Sequence, residues 1–225
     1  MKKTWTISLL IVTSLIFLNG CDNDSDITAP TDDQNSLELM LIEETIAAFP
    51  LDSLSEEEIA GLELMREEEK LARDVYLHLY ETWGMKIFSN ISNSESTHTY
   101  TIKVILDRYV IEDPVTDDTI GEFENEHLLA LYNSLTAIGD SSLVQALTVG
   151  ATIEDLDIYD LLELTKITDN EDILFAYDNL TKGSRNHIRS FVSKLSGYNI
   201  DYKAQFIEEA LLDSILSTPK ETGNM

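Results

Sequence analysis

The chain has 225 residues and a formal net charge of -27, from 42 acidic and 15 basic side chains. A surface of that sign repels nucleic acid and anionic membrane, which are bound through basic patches, and it attracts cations. Cys21 is the sole cysteine, which excludes an intrachain disulfide.

The N-terminus reads as a secretory signal: Met1-Lys2-Lys3, an apolar run from Trp5 to Leu18, then Asn19-Gly20-Cys21. The run is shorter than the about 20 apolar residues of a spanning helix. The position of Cys21 resembles that of the cysteine of bacterial lipoproteins, which is lipidated and becomes the mature N-terminus, although Asn19 departs from the small residue usual there. Residues 1–21 are therefore expected to be a lipoprotein signal peptide, and the protein to be held to the membrane of the bacterial cell envelope through Cys21. A plain cleaved signal and an uncleaved anchor are the alternatives. Residues 22–50 read as a flexible acidic tether, with hardly an apolar residue from Asp22 to Asn35. Near its end Leu39, Ile42, Ile46 and Phe49 step three, four and three, the pattern of a short amphipathic helix that Pro50 stops.

Residues 51–205 read as one all-α domain. Ser55-Glu56-Glu57-Glu58 is a capping box, and the helix it opens runs to Trp83 before Gly84. Its seam is Leu62, Met65, Glu69, Ala72, Tyr76, Leu79 and Trp83, with Glu68 the alternative inward acid in a shifted register. A second helix, from Ile87 to Tyr109, has the seam Phe88, Ile91, Glu95, His98, Ile102, Ile105 and Tyr109. The stretch from Val115 to Asp140 is too long for a hairpin and contains its own helix, Glu124 to Ile138, so a crossover is expected between the second and third long helices. The third runs from Ser142 to Leu164 along Leu143, Leu147, Gly150, Glu154, Asp157, Leu161 and Leu164. The fourth, opened by Thr168-Asp169-Asn170-Glu171, runs to Leu195 along Ile173, Tyr177, Leu180, Ser184, His187 and Phe191. Residues 206–225 are left as a short amphipathic helix, with Phe206, Ala210, Leu211 and Ile215 on one side, and a polar tail.

All four seams break their apolar run near the middle, at Glu69, at Glu95 with His98, at Glu154 with Asp157, and at His187. A buried carboxylate is costly unless it is paired or binds a metal. Hard carboxylate oxygens together with imidazole suit iron or manganese. A di-iron bundle takes one Glu from each of two helices and a Glu-x-x-His from each of the others, and this chain nearly has that count.

Glu69-Lys70-Leu71-Ala72-Arg73-Asp74-Val75-Tyr76 is similar to the first metal helix of rubrerythrins, Ser94 to His98 to their second, and Glu154-Asp155-Leu156-Asp157-Ile158-Tyr159 to their third. The chain from Ser55 to Tyr202 thus resembles an uncharacterised bacterial branch of the ferritin-like superfamily. The resemblance implies a ferritin-like four-helix bundle with a carboxylate-bridged pair of metal ions, most often iron, used on dioxygen, peroxide or ferrous iron. On it, Glu69, Glu95, His98, Glu154, Asp157 and His187 are the expected ligands of two irons, or of manganese. The histidines hold one ion each, Glu95 and one of Glu154 or Asp157 bridge, and Glu69 completes the set. Ser184 stands where the fourth helix should offer a glutamate, which Asp157 replaces or which leaves one metal position weak. The chain has no cysteine pair of the rubredoxin kind, so an oxidoreductase of this type needs an external electron donor. A homodimer is compatible with this reading.

Two other classes stay open. The inward acids can form a metal-free ion-pair network in an anchored interaction module, or bind metal without redox turnover. On those readings His187 is a core histidine bonded to a carbonyl, and Asp157 pairs with Arg185 or Arg189. Arg73 is expected to pair with an inward acid, Tyr76, Tyr109 and Tyr159 to pack in the seams, and His78 and His127 to face outward.

Overall fold

The computed structural model describes residues 32–222, with side chains from Ser36 onward except Glu38. The expected signal peptide, Cys21 and the first part of the tether lie outside the described residues. Among the described residues there are seven helices and no strand: α1 (Asp32–Ala48), α2 (Glu56–Trp83), α3 (Lys86–Arg108), α4 (Glu126–Gly139), α5 (Leu143–Leu164), α6 (Glu171–Gly197) and α7 (Glu209–Ser217). No helix among them is long and apolar enough to cross a membrane. The helix α1 begins inside the expected tether. Its segment has no glycine or proline to break a helix.

The helices α2, α3, α5 and α6 close a ring, with α2 and α6 each packed on both α3 and α5. Gly84 ends α2 in the left-handed conformation, φ 64°, with its N–H donating to the Tyr80 carbonyl at 2.8 Å. A side chain there would be strained. Only Gly84 and Met85 separate α2 from α3, so the second helix must turn straight back along the first. The helix α4 lies over α2 and α5, α1 over α3 and α6, and α7 against α6. The seams are buried as their spacing predicts except at their ends, where Trp83, Tyr109 and Leu143 are half-buried, and they fill two apolar clusters. One is built around Tyr76, Phe88, Leu147 and Phe191, the other around Leu62, Met65, Ile102, Ile105, Leu161 and Leu180. Each long helix passes from one cluster to the other through its polar interruption. The functional candidates therefore form a layer inside the core.

The crossover is fastened to the outside of α2. The Lys70 ammonium is buried and donates to Asp74 Oδ2 at 2.6 Å and to the Thr119 and Glu122 carbonyls at 3.0 Å each. It also lies 4.2 Å from the Phe123 ring centroid. Asp74 accepts from Arg73 and from the Gly121 N–H, Arg73 reaches Asp118 at 2.8 Å, and Arg66 reaches Asp113 at 3.0 Å. Arg73 thus serves the crossover and not an acid of the polar layer, because it lies on the stripe of α2 that carries Arg66 and Lys70. Arg185 and Arg189 likewise bond Glu221 beyond α7, and neither pairs with Asp157. In α7 the buried residues are Leu212 and Ile215, while Ala210 is exposed and Phe206 precedes the helix.

Glu58 joins two helix starts. Its Oε2 accepts from the Ser55 N–H and hydroxyl at 2.8 Å each, the Ser55 hydroxyl accepts from the Glu58 N–H at 3.2 Å, and the capping box is complete. Its Oε1 accepts from the Thr168 hydroxyl at 2.5 Å and the Asn170 amide at 2.6 Å, so the residues expected to cap α6 instead tie it to α2. Burial works against the ionised carboxyl, but these donors hold it down at about 2. A depressed carboxyl contributes stability that is present above pH 4.5 and is lost as pH falls toward 2. Glu58→Gln is expected to destabilise the protein by about 1 to 2 kcal/mol near neutral pH and by less in acid. Denaturant melts at several pH values check this; an unchanged pH profile would show that Glu58 does not join the two ends.

Candidate metal centre

Glu69 of α2, Glu95 and His98 of α3, Glu154 of α5 and His187 of α6 all reach the polar layer and are buried. Glu95 and His98 share a face of α3 because they are three apart. Both histidines point Nδ1 at the centre. His98 Nδ1 lies 2.7 Å from Glu95 Oε2 and 3.2 Å from Glu69 Oε2. His187 Nδ1 lies 2.9 Å from Glu95 Oε1 and 3.3 Å from Glu154 Oε2. The result is two triads, Glu69–Glu95–His98 and Glu95–Glu154–His187, with the donor atoms of each within 4.8 Å of one another. Glu95 belongs to both, one oxygen to each. The imidazoles stack with centroids 5.6 Å apart and planes 28° from parallel.

Surrounding groups fix these orientations. Ser94 Oγ is 3.1 Å from His187 Nε2, which leaves Nδ1 for the centre and replaces the carbonyl partner considered for a core histidine. The Tyr76 hydroxyl donates to Glu154 Oε1 at 2.5 Å, so Tyr76 both packs in its seam and aims a carboxylate. Ser184 bonds back to the Leu180 carbonyl at 3.1 Å. Next to it, a Cβ built on Gly183 would stand 2.4 Å from His98 Cε1 and Nε2. Glycine inside a helix costs about 1 kcal/mol against alanine, and here it makes room for the imidazole. Spacing alone gives no hint of this role.

Asp157 is brought to the same layer and buried, but it is in neither triad and makes no hydrogen bond or ion pair. Glu68, the alternative inward acid, is half-buried beside the layer, and Glu69 takes the central position. His78 is partly exposed against Asp140, His127 is exposed, and Tyr109 donates to Asp172 at 3.1 Å.

Four atoms of these residues, Glu69 Oε1, Glu95 Oε1, Glu154 Oε2 and His187 Nδ1, are buried and make no hydrogen bond, although His187 Nδ1 stands at ion-pair distance from Glu95 Oε1 and Glu154 Oε2. Such incompletely satisfied groups brought in by four helices fit a cation, and the mixture of carboxylate oxygen and imidazole fits a hard to borderline divalent one. Burial pushes Glu69 and Glu154 up to about 7 against the opposing pull of His98 and His187. Burial also works on Glu95, but the two imidazoles overcome it and hold that carboxyl well below its usual range. Glu95 and Glu154 raise His187 to about 9 in spite of burial, and Glu95 and Glu69 raise His98.

The raised groups set one sign. Glu69 and Glu154 contribute stability that is present below pH 4.5 and lost as pH rises through about 7, and His187 stability that is lost as pH rises through about 9. The melting temperature of the metal-free protein is therefore expected to fall between about pH 5 and about pH 9. The extra stability given by a divalent ion should grow over the same interval, because the ion competes with those protons. Melts with Mn2+ and with chelator test both trends. In Gly183→Ala the protein is expected to fold but to hold fewer ions, as counted after dialysis.

The sequence pattern of the uncharacterized protein domain DUF2202 matches residues 58–219. The chain is 52% identical over 180 residues to the uncharacterized protein MJ0754 of Methanocaldococcus jannaschii, across 80% of this chain and 97% of the relative. It is also similar to the crystal structure of hypothetical protein MJ0754 from Methanococcus jannaschii, with a TM-score of 0.76 at 52% identity over 77% of this chain and 99% of that one. The matched span begins at Glu58 and includes every residue of both triads, and the chain belongs to the DUF2202 family.

Proposed function

We propose that the protein is a ferritin-like di-metal carboxylate protein that binds two iron or manganese ions and acts on dioxygen, peroxide or ferrous iron. The observation that carries this is the pair of buried triads that share Glu95, in which three carboxyls from three helices meet two imidazoles and several of the facing atoms make no hydrogen bond. A metal-free ion-pair network is the weaker reading, because two imidazoles face the carboxyls of Glu69, Glu95, Glu154 and the unpaired Asp157. The ring of four long helices and the helical crossover support the ferritin-like reading, as does the match of residue types to rubrerythrin metal helices.

In this reading His98 with Glu69 would hold one ion and His187 with Glu154 the other, and Glu95 would serve both. Iron held there in the ferrous state would supply electrons for the reduction of dioxygen or peroxide. Tyr76 holds Glu154 in place through Oε1, and Ser94 holds the His187 ring. Both apolar clusters exclude water from the layer. Histidines raised by Glu95 carry protons that metal binding must release. The lone cysteine leaves an external donor to supply reducing equivalents. The basic and apolar residues before Cys21 support lipidation there and a place in the cell envelope.

Purified protein loaded anaerobically with ferrous iron is expected to hold about two ions per chain. Because Glu95 is shared, Glu95→Ala is expected to lose both ions and His98→Ala one. Oxygen or peroxide should then produce ferric absorbance in the wild type. Tight binding without any reaction would leave a non-redox metal protein. Absence of bound ions, with melting indifferent to chelator, would sink the metal reading altogether.

A further inference from the structure

Acids recur at every third position of α5: Glu154, Asp157, Asp160 and Glu163. Residues three apart form a slanted ridge that turns about 60° around the helix at each step, so this row winds from the buried side of α5 to its solvent side. Exposure rises along the ridge, from 0% at Glu154 to 4% at Asp157 and 9% at Asp160, and Glu163 is in solvent. The ridge therefore leads from the centre to the surface at the C-terminal end of α5, the negative end of the helix dipole. The whole of α5 contains no lysine or arginine. Lys166 meets Glu163 at the outer end, in an exposed pair of small energetic weight.

Glu68 on α2 joins the ridge from the opposite side. Its Oε2 is buried without a partner, and the negative charges of Asp160 and Glu69 act on it. Asp157 has no hydrogen bond or ion pair, and the charges acting on it are those of Glu69, Glu154, Glu68 and Glu95. It thus lies within electrostatic reach of Glu68 and of carboxylates in both triads. Asp155, on the same helix, shows how this fold treats a structural acid. Its carboxyl accepts from the Tyr202 hydroxyl at 2.8 Å and from the Gln205 and Ile207 N–H groups at 2.6 and 2.9 Å. Nothing comparable serves Asp157. Buried acids without donors or cations weaken a fold, and a cation passing along this row would offset that cost.

We propose that Glu163, Asp160, Glu68 and Asp157 form a conduit that conducts hard divalent cations from solvent to the two triads. This rests on the metal reading given above. The acids concentrate the ion at the mouth of the ridge, exchange carboxylate oxygens for part of its water, and deliver it beside Glu69 and Glu154.

The test is the rate of Mn2+ uptake, followed by loss of the electron paramagnetic resonance signal of free Mn2+, in the wild type and in the double variant Glu68→Gln/Asp160→Asn. Neither residue belongs to a triad. Replacing them removes mutual repulsion, so the ion-free variant is expected to melt no lower than the wild type, which verifies folding. The expected result is the same ion count at equilibrium, reached on the order of tenfold more slowly and with weaker dependence on salt. An unchanged rate overturns the conduit and leaves the metal centre intact. A reduced ion count also overturns it, since the two acids would then be ligands. A wild type that takes up no Mn2+ overturns the metal reading itself.

Discussion

Charge does not balance in the middle of this fold. Glu69, Glu95, Glu154 and Asp157 are buried in one layer with His98 and His187, and no lysine or arginine enters it. An isolated ion in such surroundings is strongly disfavoured, and removal of one partner from a buried pair costs about 3 to 5 kcal/mol. Glu95 faces both imidazoles at once, which offsets part of that cost. Every other feature of the domain can be read by how it keeps that layer in register. Apolar clusters seal it above and below, Gly183 makes space for one imidazole, and Ser94 turns the other.

The helix α2 is held from two sides. Its inward face carries Glu69 and Tyr76, and an adjoining stripe carries Arg66, Lys70 and Arg73, which grip the crossover. Lys70 fills a position that a metal ion could occupy in another protein: an ammonium ringed by a carboxylate and two carbonyls, with an aromatic face beside it. Rotation of α2 that withdrew Glu69 from His98 would also pull Lys70 out of those oxygens. The crossover thereby acts on the centre without touching it. The basic residues of a very acidic chain are used where they lock a long connection in place, and the polar layer is left to acids and imidazoles.

The four seams were legible because helical periodicity is a local property: a three-and-four spacing states which side of a helix is buried, whatever lies opposite. It therefore placed Glu69, Glu95, His98, Glu154, Asp157 and His187 in one layer. Periodicity does not state which atoms meet across the layer. Asp157 shares the burial of Glu154 yet lies outside both triads, and Tyr76 bonds a carboxylate. Arg73 was misplaced for the same reason, since its partner Asp118 lies in a connection whose path no spacing predicts. A signal for it did exist. Arg66, Lys70 and Arg73 are spaced four and three along one stripe, and Asp113 just before the crossover and Asp117 and Asp118 at its start are acidic, so the two segments are complementary in charge. Gly183 left no such trace, because a close approach depends on the distance between helices.

Glu58 gives the domain an order of completion. One of its oxygens serves Ser55 three residues before it, while the other serves Thr168 across 110 positions of chain. The first half of that cap can form as soon as α2 nucleates, but the second waits until α3, the crossover and α5 have brought α6 back to the same end. Closing so long a loop is an entropic step that local helix formation does not share. The contacts of Glu58 with Thr168 and Asn170 therefore report on closure of the whole ring, whereas its contacts with Ser55 report only on the start of α2.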